Sequence, residues 1–116
     1  MDDNTLRRSM LFDFYGELLT EKQRDYYDLH YNEDFSLSEI AEQSGISRQG
    51  VWDIIRRADK ILGETEEKTG LIRRFEQLRL EVSLIEARVL KIRELSEGEC
   101  AELATEVLDR LQSLKN

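Results

Sequence analysis

The sequence predicts an all-α fold, a helix-turn-helix domain followed by long C-terminal helices. Proline is absent and glycine occurs only six times in 116 residues, which favours uninterrupted helices over a β-rich chain. Apolar side chains recur at helical spacing through most of the sequence. The stretch from Leu37 to Leu62 meets the packing demands of a helix-turn-helix one position at a time. These features divide the chain into residues 1–62, a helical domain containing the motif at 37–62, and residues 63–116, a long coiled-coil-like helical region.

A first helix follows from Leu6, Met10, Phe14 and Leu18, which recur every four residues with Leu11 beside them. Thr20 and Gln23 then have capping-box spacing: the hydroxyl accepts the free N–H near Gln23 while the Gln23 side chain reaches back. This places a second helix from Glu21 to about Tyr31. Asn32-Glu33-Asp34-Phe35 reads as a loop, and Ser36 with Glu39 repeats the box at the start of a third helix. Seven of the nine aromatics lie between Phe12 and Phe35, most simply as the core of this domain. A base-stacking platform is the alternative, disfavoured because these residues follow helical rather than strand spacing.

In the motif, Ile40 and Ala41 take the inner face of the first helix, where the small Ala41 admits the second. Gly45 supplies the positive φ of the tight turn. Ile46 is expected to plug the gap between the helices, and Ser47 caps the second. Val51 and Ile54 face back into the core, extended by Ile55 and Ala58. Gly63-Glu64-Thr65 weakens the helical signal. Beyond it Leu71, Phe75, Leu78, Val82, Ile85, Val89 and Ile92 step by four and three, the 3.5-residue period of a coiled coil. This seam predicts a homodimer, or else a stripe folded back on the N-terminal domain. Ser96 and Glu99 form a third capping-box pair, and Cys100, Ala104, Val107, Leu108, Leu111 and Leu114 mark a last helical face.

Charge narrows the functional classes. The net charge is −8, with −5 from residues 1–62 and −3 from the rest, so neither half is a basic module of the kind that coats nucleic acid. Between Ser47 and Leu62, however, Arg48, Arg56, Arg57 and Lys60 outnumber Asp53 and Asp59. At a screening length of about 8 Å, that local surplus matters more than the total. If the second helix enters a groove, Arg48 matches guanine, Gln49 matches adenine, and Arg56 and Arg57 lie near the backbone. Trp52 on the same outer face suits a protein contact better than base reading, and Asp53 repels phosphate.

No catalytic or metal-binding constellation stands out. His30 is the sole histidine and Cys100 the sole cysteine, and there is no Gly-Lys phosphate loop or metal-spaced Cys/His set. No cofactor is expected. A lone cysteine suits a reducing compartment. Met1-Asp2-Asp3 lacks the basic start and apolar run of an export signal, and no apolar stretch approaches the ~20 residues of a membrane span. The expectation is a cytoplasmic, non-enzymatic protein.

Two resemblances sharpen this. Leu18-Leu19-Thr20-Glu21-Lys22-Gln23-Arg24, with Ser38-Glu39-Ile40-Ala41-Glu42 and Ser47-Arg48-Gln49-Gly50-Val51, resembles the promoter-reading fourth region of bacterial sigma factors. Leu11-Phe12-Asp13-Phe14-Tyr15-Gly16-Glu17-Leu18-Leu19-Thr20, with Ser47-Arg48-Gln49 and Asp53-Ile54-Ile55-Arg56-Arg57, more closely resembles the YlxM family of Gram-positive bacteria. That likeness covers nearly the whole chain. It implies a small regulator linked to the signal recognition particle, whose GTPase gene neighbours that of the family. The partners it implies are the particle's GTPase, its RNA, or DNA, and it carries no set of active-site residues. A dimeric DNA-binding transcription regulator is the alternative, since the heptad seam would pair two recognition helices on palindromic half-sites.

Overall fold

The computed structural model describes residues 3–115. Met1 and Asp2, on which the expectation of no export signal partly rests, lie outside them. The described chain is all-α, with α1 (Asp3–Tyr15), α2 (Glu21–Tyr27), α3 (Leu37–Ser44), α4 (Arg48–Thr69), α5 (Leu71–Glu94) and α6 (Glu99–Lys115). A 3-10 turn at Gly16–Leu18 follows α1, and a π-helical turn at Asp28–Asn32 follows α2. The described residues divide into two compact units, one up to Ile72 and one from Arg73 onward.

Local chemistry sets the helix starts of the first unit. Thr20 Oγ1 accepts from the Gln23 N–H at 3.2 Å, and the Gln23 side chain accepts from the Thr20 N–H at 3.0 Å. Ser36 and Glu39 make the same reciprocal pair at 3.1 Å each way. Those bonds to Ser36, backbone first, hold the Glu39 carboxyl below its ordinary range. The second helix is shorter than its sequence pattern implies. Regular α-geometry stops at Tyr27, and the expected last turn to Tyr31 is the wider π form.

The core of this unit is built around α4, whose Val51, Ile55, Ala58 and Leu62 are buried at steps of four, three and four. Ile40 and Ala41 meet it from α3, Tyr26 and Tyr27 from α2, and Leu11 and Tyr15 from α1. Phe12 stacks on Tyr27 with centroids 5.7 Å apart and rings 5° from parallel, and Tyr31 tilts against Tyr27 at 4.8 Å. The aromatic cluster is therefore mostly core, with Phe14 left exposed.

Three expectations about buried faces need correction. In α1 the stripe Leu6, Met10, Phe14, Leu18 is not the inner one: Leu6, Phe14 and Leu18 are exposed, and Leu11, Tyr15 and Leu19 are buried instead. Ile46 does not plug the helix-turn-helix gap but lies over Gly50 with 38% of its surface exposed. Ile54 is only half-buried, and Ile55 takes the core position beside it.

The weakened signal at Gly63 does not end the helix. A side chain there would meet no atom within 4 Å, so this glycine costs helix propensity, about 1 kcal/mol, without forcing a turn. The helix stops instead at Gly70, whose φ of 63° takes the left-handed cap and whose N–H bonds Glu66 O at 2.8 Å. The expected division after Leu62 therefore falls inside α4. The end of α4 is locked to α1 by a buried polar network. Tyr15 donates to Glu66 Oε1 at 2.6 Å, Ile72 N–H donates to the same oxygen at 3.0 Å, and the Tyr15 and Thr69 hydroxyls bond at 2.6 Å.

In the second unit, α6 returns to α5, with Lys115 Nζ 2.8 Å from Glu86 Oε1. Val82, Ala104 and Leu111 are its buried apolar residues. Of the heptad positions, Val82 is buried, Phe75 and Val89 are half-buried, and Leu71, Leu78, Ile85 and Ile92 are exposed. Ser96 does not cap α6: its hydroxyl donates back to Ile92 O at 2.6 Å and closes α5, leaving α6 to start after the left-handed Gly98. Cys100 is exposed.

Candidate nucleic-acid interface

The turn between α3 and α4 is made by two residues doing separate work. Gly45 adopts φ 71°, ψ 23° and its N–H closes on Ala41 O at 2.9 Å, reversing the chain where a Cβ would be strained. Ser47 then takes extended geometry and its hydroxyl accepts from the Gly50 N–H at 3.0 Å. This N-cap sets the first turn of α4, and with it the direction of Arg48 and Gln49.

With Val51, Ile55 and Ala58 turned inward, the helical repeat puts Arg48, Gln49, Trp52, Asp53, Arg56 and Arg57 on the other side. Arg48, Gln49, Arg56 and Arg57 are exposed, and Trp52 is half-buried. Gln49 is not free to read a base on both edges, because its amide donates to Asp53 Oδ1 at 3.0 Å, one helical turn on. Asp53 thus has a structural partner in addition to its repulsion of phosphate. Trp52 stands between two recesses. The smaller, about 460 Å3, is lined by Leu37, Arg48, Gln49 and Trp52.

The larger recess, about 660 Å3, lies beyond Trp52 and draws on three elements. From α4 come Trp52, Asp53, Arg56, Arg57, Asp59 and Lys60, from the π turn Tyr31, and from α1 Arg8. The Arg8 guanidinium sits over the Tyr31 ring, 4.5 Å from its centroid. His30 Nδ1 lies 2.8 Å from Phe35 O, which fixes the ring edge-on to Trp52 at 6.5 Å. Burial pushes the Tyr31 hydroxyl up, against the opposing pull of Arg8. Tyr27 lies fully buried behind the recess, and its hydroxyl has no hydrogen-bonding partner among the described residues. Burial, reinforced by the nearby Asp59 carboxylate, pushes that hydroxyl up as well.

The sequence-derived set of Arg48, Gln49, Trp52, Arg56 and Arg57 is thus brought to one side of α4, divided by the Trp52 ring. Sequence reasoning missed Arg8 and counted Tyr31 in the core aromatic cluster, with base stacking as the disfavoured alternative. Nothing in the local pattern of α1 marks Arg8, because it joins the site only through tertiary packing. Among the described residues, no cluster of three or more His, Cys, Asp or Glu side chains is placed to hold a metal ion, and no helix is long and apolar enough to cross a membrane.

The chain is similar to known proteins over most of its length. A family model described as "Putative helix-turn-helix protein, YlxM / p13 like" matches residues 2–101. A UPF0122 protein of Listeria innocua is 40% identical over 116 residues, covering 100% of this chain and 98% of its own. One from Thermoanaerobacter sp. (strain X514) is 39% identical over 115 residues, 98% of each chain. A third, from Halalkalibacterium halodurans, is 56% identical over 77 residues, 66% of this chain and 71% of the relative. With Gly45, Ser47 and the inner faces of α3 and α4 forming the turn that this description names, the chain belongs to the YlxM / p13-like family of helix-turn-helix proteins.

Proposed function

We propose that the chain is a non-catalytic accessory or regulatory protein of the signal recognition particle pathway, working in the cytoplasm and engaging the particle's RNA, its GTPase, or both. The observation that carries this reading is the mixed outer face of α4. Arg48, Arg56 and Arg57 flank an aromatic anchor, Trp52, in a chain of net charge −8. A duplex-coating protein needs a broad basic surface, because its affinity comes from neutralising many phosphates. A ribonucleoprotein partner offers phosphates and protein surface together, and Trp and Arg are the side chains that most often anchor protein contacts. The YlxM resemblance supports the same pathway. Pull-down with the purified particle GTPase and with its RNA tests the reading. Capture of either supports it, and no binding to either at micromolar concentration refutes it.

A second reading is favoured by a separate observation. Leu71, Leu78, Ile85 and Ile92 recur every seven residues on α5 and are exposed, as the seam of a homodimer would be in the isolated chain. A dimeric DNA-binding regulator would use that seam to pair two copies of α4 on half-sites one helical turn apart. It requires salt-sensitive, sequence-selective duplex binding that weakens on Arg48→Ala. Absence of duplex binding at low salt excludes it.

A further inference from the structure

The recess beyond Trp52 contains groups that groove reading leaves unused. Its lining carries four cations and two carboxylates around two aromatic rings. Among the described residues no carboxylate pairs with Arg8, Arg56 or Arg57, and the Lys60–Glu64 contact is loose at 3.9 Å. The volume lies in the range of pockets that enclose a small ligand. A simple anion site would exclude Asp53 and Asp59. Their presence beside four cations instead matches a ligand that brings both phosphate and a base edge with N–H donors. The Trp52 ring, in T-shaped contact with His30 at 6.5 Å, and the Arg8 guanidinium laid over Tyr31 are flat surfaces of the kind on which unpaired bases stack.

We propose that this recess is a binding site for one unstacked nucleotide of a single-stranded nucleic acid, with its base against Trp52 and its flanking phosphates on Arg8, Arg56, Arg57 and Lys60. The inference rests on the nucleic-acid arm of the proposed function and assigns it a place. A base still paired in a duplex cannot enter, since stacking in the recess requires it to leave its own helix. Arg8 separates this site from a groove contact made by the start of α4, because it belongs to α1.

Trp52 is the only tryptophan, so its emission reports the site directly. The full chain is titrated with octamers of uridylate and of deoxythymidylate. Saturable quenching by either supports the proposal, and the ratio of the two affinities shows whether the ribose hydroxyl is read. Arg8→Ala and Lys60→Ala should each lower the slope of log affinity against log salt by about one. The Lys60 side chain is 75% exposed, so that variant keeps the fold, and circular dichroism checks the other. Trp52→Ala, followed with a labelled octamer, should bind roughly tenfold more weakly, the usual scale of one stacked base.

Octamer binding with parent affinity in the Arg8 and Lys60 variants and with unchanged Trp52 emission overturns the site while leaving RNA engagement intact. Equal displacement of the octamer by a glutamate octapeptide reassigns the recess to acidic peptides and also overturns it. Failure of every octamer to bind, alongside successful capture of the particle GTPase, removes this inference and leaves the protein arm of the proposed function.

Discussion

Replacing Glu66 by alanine should be among the most damaging single changes available in residues 1–72. Its Oε1 accepts from Tyr15 at 2.6 Å and from the Ile72 N–H at 3.0 Å, all in a buried setting. Truncation leaves the buried Ile72 N–H without its acceptor and Tyr15 with only the Thr69 hydroxyl to bond, a loss of roughly 2–3 kcal/mol together. At about 0.05–0.15 kcal/mol per residue, a unit of this size has only some 4–10 kcal/mol to lose. Glu66→Gln keeps a carbonyl oxygen in place and should cost about 1 kcal/mol, the difference between a charged and a neutral acceptor. Tyr15→Phe removes one of the two bonds, and a double-mutant cycle between Tyr15 and Glu66 should return a coupling of about 1–2 kcal/mol. Urea unfolding followed by Trp52 emission measures all of these. A loss below about 1 kcal/mol for Glu66→Ala, or a Glu66→Gln variant as damaged as the alanine, would refute the reasoning.

Other consequences are open to measurement. Ser47→Ala removes the hydroxyl that caps α4 and should lower stability by about 1 kcal/mol, a drop in thermal midpoint of about 4–8 °C for a unit this small. The Tyr15 and Tyr31 hydroxyls are raised above their ordinary value of 10.0, chiefly by burial. A group harder to deprotonate in the folded state stabilises fully below its unfolded pKa, so stability should hold up to about pH 10 and fall above it. Urea midpoints on either side of that pH test the sign, and Tyr15→Phe should flatten the fall. For the homodimer, Ile85→Glu is the informative change, because Ile85 is exposed whereas Val82 is buried within the protomer. Sedimentation should show the parent as a dimer at tens of micromolar and Ile85→Glu as a monomer, while a monomeric parent excludes the dimer.

Local hydrogen-bonding chemistry was legible in the sequence of the first unit, although the same rule misplaced Ser96, whose hydroxyl bonds back to Ile92 O. Thr20, Ser36, Ser47 and Gly45 each take the cap or turn their chemistry implies. Periodicity was less reliable on the short first helix. Leu11, Tyr15 and Leu19 recur at steps of four just as Leu6, Met10, Phe14 and Leu18 do, so spacing alone does not say which stripe faces inward, and packing against the other helices buries the first. Gly63 and Gly70 look alike as letters. They differ in whether the backbone beside them must reverse, which is decided by the Glu66 network across 51 residues of sequence. The site divides in the same way. Residues on α4 followed from helical geometry, but Arg8 arrives from α1 and Tyr31 from a turn whose π geometry no spacing rule anticipates.

The π turn at Asp28–Asn32 has an evolutionary consequence. A π turn is in effect an α-helix carrying one inserted residue, and each residue advances the helix by about 100°. Deleting a single residue there would restore α-geometry and swing Tyr31 away from Arg8 and His30 away from Trp52. It would leave α4 and the caps of α2 and α3 as they are. A lineage could therefore erase the recess with a three-base deletion and keep the helix-turn-helix. Relatives one residue shorter between Tyr27 and Ser36 would form a natural control group in which the groove-facing residues persist without the recess.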